Sequence, residues 1–283
     1  MKKARIIAVT ILITGIFIAS LLTSGCVPEA TSKLKVVTST SLLEYIVRQV
    51  GGDKVDVVNL IPPVNHPGNY DVKPGDIQTL ANASFFILHG WPGEGYADKL
   101  IASANNPNLT VIKANVNGNW TIPSVQMAAT DRVASILSEL DSQNASAYQK
   151  SAAEYKQRIQ AEETDIKARL AEADISQVNV IASARQADFL TWAGFNIVAQ
   201  FNTTDMTDKP QVVQELVDTG KQAGVTLIVN NLQDGKDAGK ALAEELGAKN
   251  LNLSNFPGGF DDTETWEKAI DRNIELILEA AAQ

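Results

Sequence analysis

His66 and His89 are the only histidines in the chain, and each sits in a short polar segment, NHPGNYD and HGWPGEG. Imidazoles joined by carboxylates are what hold Zn²⁺ or Mn²⁺, and a tight site needs three or four such ligands. His66 and His89 are therefore the candidate metal ligands, with Asp71, Glu94, Asp205 or Asp261–Asp262 as the carboxylates available to complete a set. Other residues point to a different chemistry. Asn69, Asn119, Asn230, Asn231 and Asn255 are amides, which donate and accept hydrogen bonds but ligate zinc poorly. Arg185 repels a divalent cation and forks onto an oxyanion. Trp91 and Trp120 offer aromatic faces. A polar organic molecule or an oxyanion is thus the rival solute. Each residue also has a plain structural role open to it. His66 can be solvated in the loop after Pro62–Pro63, and His89 hydrogen-bonded in the core at a strand end. The tryptophans can simply pack, and Arg185 can pair with Asp188 on its own helix.

The elements that must position these groups read clearly from periodicity. The stretch Asn144 to Ala173 has no Gly or Pro and is rich in strong helix formers. Tyr148, Ala152, Tyr155, Ile159, Ile166 and Leu170 place one apolar stripe along it. Such a helix is about 45 Å long at 1.5 Å per residue. With Asn144 at its start and Asp174 closing it, it reads as a rigid strut between two lobes. On either side, apolar runs alternate with helical patterns, four strands to each half, among them Leu34–Val37 and Val225–Val229. Helices follow, such as Gly235–Leu246 and Thr263–Ala281. This alternation predicts two α/β lobes with mostly parallel four-stranded sheets: residues 34–140, a linking helix 141–175, and 176–283.

In open parallel sheets a ligand binds outside the carboxyl ends of the strands. The segments following each strand then supply a cleft lining. From the first lobe come Thr38, Ser39, Asn69, Tyr70, Trp91, Asn119 and Trp120. The second lobe gives Arg185, Gln186, Asp205, Asn230, Asn231, Asn255 and Phe256. Both histidines fall in these segments.

The amino terminus carries no fold. Lys2, Lys3 and Arg5 precede an apolar run from Ile6 to Leu22 and then Thr23-Ser24-Gly25-Cys26, the layout of a secretory signal over residues 1–25. Small residues before the only cysteine resemble a lipobox, which makes Cys26 the lipidation site and 26–33 a tether. An uncleaved membrane anchor is the alternative. Either way the lobes lie outside the cytoplasmic membrane, on the cell surface or in the periplasm. Losing the three basic residues of the signal leaves 21 Lys+Arg against 33 Asp+Glu, a net charge of −12. That argues against nucleic acid or anionic lipid as partner. No G-x-S-x-G, H-E-x-x-H or Walker loop occurs, and no catalytic residues are assigned.

The segments VVTSTSLLEYIVRQVGGDKVDVVNLIPP, YDVKPGDIQTLANASFFILHGWPGEGYADKL, ASAYQKSAAEYKQRIQAEETDIKARL and WEKAIDRNIELI resemble the solute-binding lipoproteins of ABC importers for zinc and manganese (TroA-like metal receptors). The resemblance covers nearly all of residues 34–283. It implies pseudo-symmetric lobes on a rigid helix, a monomer that binds Zn or Mn between them as transported solute, and delivery to a membrane permease. The family's ligand positions are altered. Its P-H-x-Y-E-P histidine, two residues before Tyr70, is Gly68 here, with His66 displaced by two. Its D-P-H-x-W histidine corresponds to the region of Asn119, its second-lobe His or Glu to Arg185–Gln186, and its late acidic ligand to the region of Asn255. The His- and Asp-rich loop of many zinc members is absent. A metal receptor with a divergent site, the same fold carrying a polar organic or oxyanion solute, and a surface adhesin all remain open on sequence. An adhesin would show a closed or apolar cleft.

Overall fold

Leu34–Thr40 forms strand β1 and runs directly into helix α1 (Ser41–Gly51), because the Thr40 side chain accepts the Leu43 N–H and caps the helix. This computed structural model describes residues 33–92, 94–173 and 175–282. The signal segment, Cys26 and Asp174 lie outside the described residues. Lys33–Gln283 is one compact unit.

The first lobe continues with β2 (Val55–Ile61), α2 (Pro74–Ala81), β3 (Phe85–Leu88), α3 (Tyr96–Ala104), β4 (Thr110–Lys113) and α4 (Pro123–Leu140). Helix α5 (Ala145–Glu172) follows. The second lobe comprises β5 (Asn179–Ser183), α6 (Ala184–Ala193), β6 (Asn196–Phe201), α7 (Thr203–Asp208), α8 (Pro210–Ala223), β7 (Leu227–Asn231), α9 (Lys240–Leu246), β8 (Lys249–Leu253) and α10 (Trp266–Ala281).

Both sheets are four-stranded and wholly parallel, with the orders β2-β1-β3-β4 and β6-β5-β7-β8. The orders are the same when each lobe's strands are counted from its own start, which is the pseudo-symmetry expected. In such an order the crossovers part between β1 and β3, and between β5 and β7, opening a crevice at those strands' carboxyl ends. Strand β7 is buried along its whole length, as central parallel strands covered on both faces are.

Two strands run further than their apolar cores suggest. β1 extends to Thr40, paired with Ile61, and β7 to Asn231, paired with Leu253. Parallel pairing is a backbone matter, so Thr and Asn at the ends do not stop the ladder. Two helical expectations also shift. Gly235 takes φ 111°, a left-handed conformation foreign to a helix, so α9 begins only at Lys240. The closing helix starts at Trp266, capped by the Thr265 side chain on Lys268 N.

Helix α5 is about 42 Å long by its rise per residue. Its buried face is Tyr148, Ala152, Tyr155, Ile159, Ile166 and Leu170, the stripe read from sequence. Each fully buried Ile there contributes about 1.5–3 kcal/mol. These residues belong to a single core that includes Val36 and Val57 of the first sheet and Val180 and Val229 of the second. The helix therefore braces both lobes. It packs on α1 and α4 of the first lobe and α10 of the second. Across the lobes, Trp266 Nε1–H donates to the Trp120 carbonyl at 3.0 Å and Tyr45 Oη–H to Glu267 Oε2 at 2.7 Å. Among the described residues no helix is long and apolar enough to cross a membrane.

Candidate functional site: a cavity between the lobes

A cavity of about 420 Å³ lies where the strand ends of the two lobes meet. The first lobe contributes His66, Trp91, Glu94, Asn119 and Trp120, and the second Arg185, Asp188, Asn231, Gln233 and Asn255. Leu42 and Phe256 add apolar wall.

The loop after β3 is built around Glu94. Its carboxylate accepts the N–H groups of His89 (3.1 Å), Gly90 (2.7 Å) and Trp91 (3.1 Å) and the Ser39 hydroxyl (3.3 Å). Burial pushes its pKa up against those four bonds, and burial wins. Gly90 is required, since its φ is 86° and an added Cβ would stand 2.2 Å from Asn115 Oδ1. The loop thereby folds Trp91 flat onto His89, with centroids 3.5 Å apart and 17° between planes. Trp120 meets both edge-on. His89 is 0 % exposed, its Nε2 is 2.7 Å from Thr40 Oγ1, and its Nδ1 has no partner. Burial holds its pKa far below the usual imidazole range. This histidine is a neutral core residue behind the tryptophans.

His66 precedes the 3₁₀ turn Pro67–Asn69 and accepts the Gly68 N–H on Nδ1 at 2.9 Å. The ring proton is thus on Nε2, which faces Asp234 Oδ1 at 3.7 Å. Desolvation first, and the nearby Arg185 charge second, lower its pKa, with Asp234 opposing. Neither nitrogen offers a free lone pair. Asp234 itself, in the turn Leu232–Asp234 after β7, receives Arg185 Nε at 2.9 Å. Arg185 does not pair with Asp188, as its helix spacing allowed.

The second-lobe wall rests on three amides. Gln186 Nε2 donates to Asn231 Oδ1 (3.0 Å) and Asn255 Oδ1 (3.1 Å), and Asn255 Nδ2 donates to Asn231 Oδ1 (3.1 Å).

Of the residues expected at the cleft, His66, Trp91, Asn119, Trp120, Arg185, Asn231, Asn255 and Phe256 line it. The others stand elsewhere. Thr38, Ser39 and Asn230 are buried ladder residues of β1 and β7, where pairing continues past the apolar run. Gln186 is buried behind Asn231. Tyr70 Oη–H donates to Asp76, and Asn69 ends the turn that carries His66. Asp205, in α7, is held by Lys209 at 2.7 Å. His66 and His89 do not assemble with a third donor. Among the described residues the single trio of His, Cys, Asp or Glu atoms within 4.8 Å is Glu162, Asp165 and Asp271. That trio lies where α5 meets α10, with Arg169 bonded to both aspartates. Sequence reading missed Gln233 and Asp234. They stand two and three positions after Asn231, in the turn Leu232–Asp234 that continues β7.

Two parallel lobes whose strand ends close on one cavity, braced by a single helix, define a two-lobe solute-binding protein. The chain belongs to the family of the zinc-uptake complex component A, periplasmic, metal-type substrate-binding proteins of ABC importers, whose family model matches residues 36–280. The iron-binding protein YfeA of Yersinia pestis is 20% identical over 297 residues, 96% of each chain. The manganese ABC transporter substrate-binding lipoprotein PsaA of Streptococcus pneumoniae is 31% identical over 111 residues, 37% of this chain and 35% of that one. In fold, the crystal structure of ZnuA superposes with a TM-score of 0.73 at 20% identity, covering 88% of this chain and all of the other. The manganese-bound periplasmic metal-binding protein of Candidatus Liberibacter asiaticus gives 0.75 at 18%, covering 88% of this chain and 100% of that one.

Proposed function

We propose that this chain is the exported, lipid-tethered solute receptor of an ABC importer, closing its lobes on a solute in the interlobe cavity and presenting it to a membrane permease. Residues 34–140 and 176–283 are the clamping lobes and 141–175 the brace. The carrying observation is the cavity itself, walled by strand ends from both lobes at their topological switch points. Its rim is latched by only a few direct cross-cleft bonds. Gln233 Nε2–H donates to the Pro63 carbonyl at 2.8 Å and Asn119 Nδ2–H to the Arg185 carbonyl at 3.1 Å. Such contacts can part and re-form while α5 stays fixed, which is how hinged lobes signal occupancy. The chain works as a monomer held to the outer face of the cytoplasmic membrane by lipid on Cys26. A cleft that carries Arg185, Asp188 and Asn255 beside its carbon walls weighs against an adhesin with no cargo.

The test is to purify the chain without chelator, identify what co-purifies by native mass spectrometry, strip it and add it back. A stoichiometric solute, metal or organic, supports the reading. At about a hundred times its dissociation constant it adds about 2.7 kcal/mol, or several degrees of melting midpoint at about 2–4 °C per kcal/mol. No bound species and no shift with any metal or small solute overturns it.

A further inference from the structure

The receptor reading leaves the cargo open, and the unpaired groups of the cavity narrow it. Arg185 spends only its Nε on Asp234. Its two terminal nitrogens make no bond to the protein, and Arg185 lines the cavity. Asn231 lines the same wall, but its Oδ1 accepts from Gln186 and Asn255 and its Nδ2 is buried out of reach of a solute. The two charged terminal nitrogens of Arg185 thus await an acceptor.

One turn along α6 the polarity reverses. Asp188 lines the cavity, makes no ion pair or hydrogen bond, and shares a helix face with Arg185 at i,i+3 spacing, where side chains are neighbours about 5–6 Å apart at Cβ. The other carboxylate at the wall, Glu94, has all its capacity used by four donors. The opposite side is carbon: Trp91, Trp120, Leu42 and Phe256. A cavity of about 420 Å³ has room for a small organic molecule. A bare divalent cation here would meet the Arg185 charge, a His66 with neither lone pair free, and one usable carboxylate.

We propose that the cavity takes a small zwitterionic organic solute of amino-acid type. Its carboxylate sits on the Arg185 terminal nitrogens, its ammonium on Asp188, and its carbon body against Trp91. This rests on the receptor reading and names its cargo class.

The experiment uses the full chain in detergent, stripped of solute, with tryptophan fluorescence and melting midpoint as readouts. The probes are the common free L-amino acids, their matching amines and matching carboxylic acids as single-charge controls, and Zn²⁺, Mn²⁺, Fe²⁺ and Ni²⁺. At least one amino acid binds, and its amine and acid counterparts bind about tenfold or more weakly, the worth of one charge-assisted hydrogen bond. Arg185→Gln and Asp188→Asn each weaken it by about tenfold or more; Asp188→Asn, which breaks no contact within the protein, leaves the unliganded melting midpoint unchanged and is the decisive variant, since Arg185→Gln also strips Asp234 of its partner. Silence across all amino acids overturns the inference, as does an affinity indifferent to Asp188→Asn or an acid counterpart that binds equally well. If a divalent cation binds one to one and no amino acid does, the receptor reading stands and this inference falls. If nothing binds, both fall.

Discussion

His66 of the first lobe holds its Nε2–H toward Asp234 of the second, 3.7 Å away across the cleft, while Gly68 N–H fixes the tautomer from the other side. The contact is desolvated and shares Asp234 with Arg185. Because burial and Arg185 lower the His66 pKa in the fold, the unfolded chain binds the extra proton first as pH falls. This contribution is complete above the unfolded pKa of about 6.5 and is lost as pH drops through the folded value. Wild type should therefore lose urea stability below that pH more steeply than His66→Gln. Glu162, raised to about 7 by burial and Asp271, titrates with the opposite sign in both proteins and cancels in the difference. Equal slopes would show that the His66 contact carries no linkage.

His89 supports the tryptophan wall without touching solute. Replacing it with Ala removes the ring on which Trp91 lies and leaves the Thr40 hydroxyl without its ring partner. Losing a buried ring of this kind costs about 3–5 kcal/mol. The free energy of urea unfolding should fall by that amount, with red-shifted tryptophan emission in the folded state as Trp91 loosens. An unchanged spectrum would mean that Trp91 is held by its loop alone.

Much of this was legible in the sequence. The α5 stripe was read residue for residue, since helical periodicity over a long uninterrupted run leaves few alternatives. The parallel alternation of strands and helices followed for the same reason. The cleft list succeeded where a side chain lies past the last ladder pair, as with Trp91, Asn119 and Arg185. Within the ladder it holds only for Asn231, the last residue of β7. Thr38, Ser39 and Asn230 are polar and read as loop, yet backbone pairing carries them into the sheet. The Asp234 contact of His66 and the partner of Arg185 depend on the turn Leu232–Asp234, 166 positions or more from His66, and no local pattern announces such a meeting.

Glu94 organises its loop as an acceptor with four donors. Glu94→Gln keeps the shape but points an NH₂ at backbone N–H groups, so at least one buried donor goes unmet at about 1–3 kcal/mol. We expect a destabilisation of that size together with weaker solute binding, because the loop also sets Trp91. Denaturant unfolding and fluorescence titration on one sample separate the two effects. Loss of stability with unchanged affinity would mean that Trp91 does not contact the solute.

The two sheets share one continuous core through α5, and the Trp266 indole reaches from α10 to the Trp120 carbonyl at 3.0 Å. Lobes joined only by a flexible linker would unfold separately, whereas lobes joined through a common core must unfold together. Tryptophan fluorescence, which samples Trp91 and Trp120 in the first lobe and Trp192 and Trp266 in the second, should therefore trace the same denaturation curve as far-ultraviolet circular dichroism. Trp266→Phe keeps most of the buried ring and removes the cross-lobe donor, leaving the Trp120 carbonyl unmet. It should lower the unfolding free energy by about 1–3 kcal/mol without splitting the transition, because Ile159, Ile166 and Leu170 of α5 remain buried in the shared core. Two resolved transitions in wild type would refute the brace. A split that arises only in Trp266→Phe would move the coupling from α5 to that single hydrogen bond.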